Sequence, residues 1–194
     1  MKKILFAVII SLTFFLSLFY FDMPFNLIKP VFHADIISKY AALNNINPLF
    51  ITAIIKVESK FFRKARSEDG AVGLMQVMPQ TASQLAKELN IRDFELSDLE
   101  NPDTNIMFGS YYLSKLLKEF KGNERLAAAA YNAGDSKVLE WLGQNPMLQV
   151  DSIDMPYPET KYYINEVDKT YRWLKLIKEF KLLLRGKRVQ NAGN

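Results

Sequence analysis

The 194-residue sequence has no cysteine, which excludes disulfides, thiolate metal sites and a lipid-modified N-terminal cysteine. Cysteine usage therefore says nothing about the redox compartment. Histidine is nearly absent too, with His33 the only one. The acids around Asp98, Glu100 and Asp103 lack the spacing and glycine of a calcium loop and read as solvated charge, so neither a metal nor any other cofactor is expected. A surplus of one charge sign is missing as well. The formal net charge is +4, but setting aside Lys2 and Lys3 leaves 23 basic against 21 acidic residues, too even a balance for a nucleic-acid partner. Strand signals are also poor. No Asn-Gly or Asp-Gly pair sits between alternating runs, and Asp69-Gly70 has charges on one side.

What the chain does have is apolar residues, 49% of the total, enough for one sizeable core in a single domain. Residues 4–21 form an apolar run interrupted only by Ser11, Thr13 and Ser17, with Lys2-Lys3 ahead of it. This is an export signal. It has no small-residue cleavage site near its end, and its length just reaches what a bilayer span requires. An uncleaved anchor over residues 1–21, with the two lysines in the cytoplasm, is preferred to a removed signal peptide. In either case the rest of the chain lies outside the cytoplasm. Residues 22–34 carry Pro24 and Pro30 and read as a linker whose full extension is roughly 40 Å.

Beyond the linker the chain reads as successive helices, so the fold class is all-α or nearly so. Asn47-Pro48 and Asn101-Pro102 each pair a capping side chain with a first-turn proline, the second opening a helix to about Phe120. Pro79 starts another. Asn123 caps residues 124–131, the Asn132-Ala133-Gly134 stretch stops them, and Asp135 caps a helix through Leu142. Pro158 opens the last and longest helix, to roughly Arg185, and residues 143–157 have no clear period. The basic residues Lys175, Lys178, Lys181, Arg185, Lys187 and Arg188 read as a solvated helix face. A weak attraction to anionic wall polymer or lipid headgroups is the alternative.

The sharpest anomaly is in the helix begun by Pro48. At about 100° per residue, Thr52, Lys56 and Ser59 share one stripe, which should be the solvated one. Glu58 lies off that stripe, between Ile51 and Ile54, with Phe61 and Phe62 following. A carboxyl facing apolar neighbours is desolvated, which raises its pKa and keeps it protonated near neutral pH, as a general acid requires. From position alone, a glutamate that snorkels from the helix end or pairs with a buried Lys or Arg is the commoner case.

Three later segments bear on that choice. Gly73-Leu74-Met75-Gln76 is a compact turn with a glycine where backbone approaches something closely. Ala130-Tyr131-Asn132-Ala133-Gly134 puts an aromatic and an amide at a helix end; singly, Tyr131 could be an edge-of-core tyrosine and Asn132 a cap. Glu159-Thr160-Lys161-Tyr162-Tyr163 opens the last helix with Glu159 and Tyr163 on one face at i, i+4, and Glu159 alone would be a first-turn acid favoured by the helix dipole.

Together with Glu58-Ser59-Lys60-Phe61, and in this order, these motifs resemble those of the family-1, SLT-type lytic transglycosylases related to goose-type lysozyme. The likeness runs from about residue 35 to 180. Lys60 and Lys161 are its small departures, standing where the family often has a small polar residue and Arg. The resemblance implies a lysozyme-like helical domain with a cleft between two lobes, covering residues 35–185 and followed by a polar tail at 186–194. It also implies an enzyme that cuts peptidoglycan between N-acetylmuramic acid and N-acetylglucosamine from the periplasmic side of the inner membrane. Glu58 would act as the single catalytic acid and base, helped by the sugar's N-acetyl group, and attack by the sugar's own C6 hydroxyl would close a 1,6-anhydro ring. Ser59 and Gln76 would place the acetamido side, Met75 would line the cleft floor, and Tyr131, Asn132, Glu159 and Tyr163 would bind substrate or steady Glu58. A hydrolytic muramidase of the same fold and a non-catalytic glycan-binding scaffold are the competing expectations.

Overall fold

Proline and asparagine set the helix starts much as their chemistry demands. Helix α2 (Pro48–Ser59) begins where the Asn47 side chain accepts from the Leu49 N–H at 3.0 Å. The Asn101 side chain likewise accepts from the Asp103 N–H at 2.9 Å, ahead of α4 (Pro102–Glu119). Pro79 opens α3 (Pro79–Glu88), and a 3-10 turn, Leu96–Glu100, leads into α4. The Asn123 side chain takes two orphan N–H groups, of Arg125 and Leu126, at the start of α5 (Glu124–Ala133). Gly134, at φ 93°, closes α5 and Asp135 begins α6 (Asp135–Gln144). The long α7 (Pro158–Asn191) ends the set. Helix α1 (Ala34–Asn44) has no capping side chain and so no local starting signal of the kind the others carry.

The computed structural model describes residues 33–144 and 157–191, with Ser11 and Thr13. The expected anchor at 1–21 apart from those two residues, most of the 22–34 linker and most of the 143–157 loop lie outside the described residues. The chain from His33 onward forms a unit of its own. Within it, seven α-helices and no strand occur among the described residues, and the only extended pairing is two isolated bridges, Arg66 with Val72 and Val72 with Val77. None of the described helices is long and apolar enough to cross a membrane. Helix α7 passes its expected end at Arg185 and reaches Asn191, a lone Gly186 costing too little, about 1 kcal/mol, to stop it.

Helix α2 packs against both α1 and α7. Phe50, Ile51, Ala53, Ile54 and Ile55 are all essentially inaccessible, and the Phe50 ring sits 5.4 Å from that of Tyr171 on α7. This corrects the expectation of a solvated Thr52–Lys56–Ser59 stripe. Thr52 and Ser59 are buried, their hydroxyls donating to the Pro48 and Ile55 carbonyls one turn back at 2.7 and 3.1 Å. A hydroxyl satisfied within its own helix carries little desolvation penalty, so a helix covered on several sides can hold it inside.

The acids read as solvated charge are committed to partners that join the helices. Asp103 accepts from the Tyr40 hydroxyl at 2.7 Å and from Lys39 at 3.1 Å, tying α4 to α1. Glu100 pairs with Arg66 at 2.6 Å, and Asp98 accepts from the Glu95 N–H to close a capping box. Arg125 with Asp168, and the Tyr171 hydroxyl with Glu124, join α5 to α7. Core and cap contributions should separate in urea denaturation. Phe50→Ala is expected to cost about 3–5 kcal/mol, and Asn123→Ala about 1 kcal/mol, with unchanged m-value in both.

Candidate active site

Glu58 is the penultimate residue of α2, and the chain leaves that helix through two consecutive left-handed residues, Lys60 at φ 51° and Phe61 at φ 66°. The glutamate is thus held at a helix end, partly accessible, with the apolar body of α2 behind it. The Tyr163 hydroxyl, from the second turn of α7, donates to Glu58 Oε1 at 2.6 Å. Burial raises the Glu58 pKa from its ordinary value of 4.5 to about 7, while the Tyr163 hydrogen bond pulls it down. Among the described residues no charged side chain takes part in that balance. Glu58 is therefore not a glutamate paired with a buried cation.

The turn that follows is held by one side chain. Asn105, fully buried in α4, accepts from the Met75 N–H at 2.7 Å and donates to the Val72 and Leu99 carbonyls at 2.8 and 2.9 Å. Gly73 lies against it at φ 84°, where a Cβ would run into Asn105 and the Leu99 carbonyl. Glycine is needed here both for the left-handed backbone and for the close approach. Gln76 is also left-handed, at φ 46°, and its amide donates to the Gly73 carbonyl at 2.8 Å and the Ala65 carbonyl at 3.2 Å. A strained non-glycine residue pinned by its own side chain is a common mark of a functional turn.

Helix α5 completes the cluster. The Tyr131 hydroxyl donates to the Met75 carbonyl at 2.8 Å, and its ring lies 5.5 Å from that of Tyr112. Burial first, and then the negative charge of Glu58, raise the pKa values of both Tyr131 and Tyr163 well above 10. Both phenols therefore stay neutral donors around a carboxyl poised near neutrality. Such a group can hand over a proton and later take one back.

The expected site residues divide. Glu58, Gln76, Tyr131 and Tyr163 are drawn into this arrangement. The Met75 side chain does not line an open floor: it is fully buried against Gly109, where an added Cβ would meet its sulfur at 2.5 Å, and what it brings to the site is its backbone. Ser59 is buried with its hydroxyl turned to its own helix. Asn132 and Glu159 are exposed, at the end of α5 and in the first turn of α7. Glu159 is exposed in the first turn of α7 while Tyr163, one turn on, is buried. Asn105 is the residue that reading the sequence missed. The signal was there, an amide adjoining the Ile106, Gly109, Leu113 and Leu116 stripe of α4, of the same kind that drew attention to Glu58.

The raised pKa of Glu58 makes stability depend on pH even without substrate. Between pH 4.5 and about 7 the folded state holds a proton that the unfolded chain has released, so stability falls as pH rises through that window. The full effect would be ~3 kcal/mol, and partial solvent contact reduces it to roughly 2 kcal/mol. Glu58→Gln should therefore be more stable than the parent chain by about that amount near pH 8, with the difference vanishing near pH 4, in denaturation curves taken at both values.

Residues 35–152 match the transglycosylase SLT domain family. Over 151 residues the chain is 36% identical to a soluble lytic murein transglycosylase of Salmonella typhimurium, a match covering 74% of this chain and 23% of that protein. It is 31% identical over 141 residues to membrane-bound lytic murein transglycosylase C of Actinobacillus pleuropneumoniae, covering 68% and 39%. The fold superposes on the X-ray structure of an inactive mutant of lytic transglycosylase Slt from Pseudomonas aeruginosa with a TM-score of 0.72 and 34% identity, over 77% of this chain and 25% of that one. The chain thus spans about a quarter of the length of these soluble relatives. On the strength of the family match and of this likeness in both sequence and fold, the chain belongs to the transglycosylase SLT domain family.

Proposed function

We propose that this protein is a peptidoglycan lytic transglycosylase in which Glu58 is the one catalytic acid and base. The observation that carries the reading is the carboxyl itself: desolvated, poised near pH 7, and touched by a neutral tyrosine hydroxyl with no charged side chain beside it among the described residues. A glycosidase with a second carboxylate would place it about 5–10 Å away, where its charge would bear on Glu58. With none acting there, the second task falls to the substrate. Glu58 protonates the oxygen linking N-acetylmuramic acid to N-acetylglucosamine, and the neighbouring N-acetyl group stabilises the cationic carbon. The ionised Glu58 then removes the proton from the C6 hydroxyl, whose oxygen closes the 1,6-anhydro ring. An oriented hydroxyl in the same molecule outcompetes water by proximity.

Tyr163 steadies the carboxyl in both protonation states, and Tyr131 and Gln76 hold the turn beside it. The exposed side chains of Asn132 and Glu159 join the proposed substrate-binding set, and Ser59 and Met75, buried and bonded within the domain, support it from behind. The domain would occupy residues 35–185, held outside the cytoplasm by residues 1–21. The relatives' names, one soluble and one membrane-bound, and an Slt crystallised as an inactive mutant fit this reading.

Mass spectrometry of digested peptidoglycan is the test. Anhydro-ended muropeptides are expected from the parent chain. Reducing ends would mean hydrolysis, and a fully functional Glu58→Gln in cells would mean a scaffold. That variant should fold and bind glycan while losing at least about a thousandfold in turnover. Tyr163→Phe removes the contact that favours the ionised carboxyl. The high-pH limb of its rate profile should move upward from about 7, as loss of a hydrogen-bond donor to a carboxylate requires.

A further inference from the structure

Helix α7 changes sides along its length. In its first half Thr160, Tyr163, Ile164, Val167, Tyr171 and Leu174 are buried and face the body of the domain. Trp173, Leu176, Phe180 and Leu183 are spaced three, four and three residues apart, which at about 100° per residue sets them on one stripe roughly opposite that buried face. All four are exposed, at 46%, 56%, 61% and 66%. The second half therefore does not extend the core contact of the first. It presents a separate apolar face, directed away from the domain. The reading of this stretch as a solvated basic face accounts for its lysines but not for these four side chains.

The charges indicate what covers that face. Lys175, Lys178 and Lys181 are exposed on the other side of the helix, the Lys175 amine 3.7 Å from the Tyr171 ring. Further along come Arg185, Lys187 and Arg188, and from 175 to 191 the only acid is Glu179. A second copy carries the same basic charge here and offers these lysines no counter-charge, whereas a surface of anionic headgroups neutralises them. A basic helix with Trp, Phe and Leu on its opposite face, too charged to span a bilayer, has the pattern of one that lies in the membrane interface. We propose that the second half of α7 docks on an anionic lipid surface, with Trp173, Leu176, Phe180 and Leu183 in the acyl boundary. Because that stripe points away from the buried face of α7, docking leaves the domain body clear of the lipid. The inference stands on α7 alone and is independent of the catalytic reading and of residues 1–21.

The test uses the full chain with Trp141→Phe, which leaves Trp173 as the single tryptophan reporter. The protein is reconstituted into phosphatidylcholine vesicles with or without phosphatidylglycerol, the N-terminal run being common to every sample. Trp173 emission should shift blue and be quenched by brominated acyl chains where phosphatidylglycerol is present, and the effect should fade with added salt. Lys175→Gln with Lys178→Gln and Lys181→Gln, checked for unchanged helicity, should lower the docked-to-free ratio on the order of a hundredfold. Trp173 unquenched in both vesicles, or quenched equally regardless of charge and salt, overturns the proposal. So does a Phe180→Cys chain that oxidises to a disulfide-linked dimer while Trp173 stays unquenched, an outcome that gives the face to a second copy.

Discussion

The site depends on a buried amide. Asn105 has no contact with solvent, and three of its hydrogen bonds go to backbone groups of Val72, Met75 and Leu99. The Val72 carbonyl also accepts from the Val77 N–H, but the Met75 N–H and the Leu99 carbonyl rely on the amide, and leaving such a buried group unsatisfied costs about 1–3 kcal/mol. One side chain thus replaces a stretch of secondary structure. It fixes the Met75 carbonyl where Tyr131 can reach it and holds Gly73 against α4, so that helices α4 and α5 both grip the same four-residue turn.

Against this rigid frame Glu58 sits in a deliberate imbalance. Burial pushes its proton on and a single tyrosine hydrogen bond pulls it off, and the two settle near neutrality. A salt link would have driven the carboxyl to permanent ionisation, and a wholly dry pocket to permanent neutrality. The two surrounding phenols are held neutral by the same desolvation and by the glutamate's own charge, so they remain donors through the pH range in which Glu58 titrates.

What was legible in the sequence was mostly local. Asn47-Pro48, Asn101-Pro102, Pro79, Asn123 and Gly134 mark helix boundaries because their effect is exerted on backbone groups two or three residues away. Helix α1 has no such residue at its start and could not be bounded that way. Glu58 stood out because charge on an apolar face is rare, but the same logic misjudged Thr52 and Ser59, whose hydroxyls close on their own helix and go inside at little cost. Met75 and Glu159 were placed by motif and spacing, and neither carries information about which way a side chain turns once several helices pack around it. Asn105 lay in the middle of an otherwise ordinary helix, its partners tens of residues away or across a turn.

The hydrogen bond between Tyr163 and Glu58 spans 105 positions of sequence and joins the second described helix to the last. Helix α7 also provides the Tyr171 ring against Phe50 at the start of α2, so it covers α2 from one end to the other. A growing chain that has not yet added this helix leaves the glutamate wet, ionised and without its tyrosine. The neutral carboxyl comes into being only once α7 has folded onto α2, so its proton is a product of the finished domain and not of the residue alone.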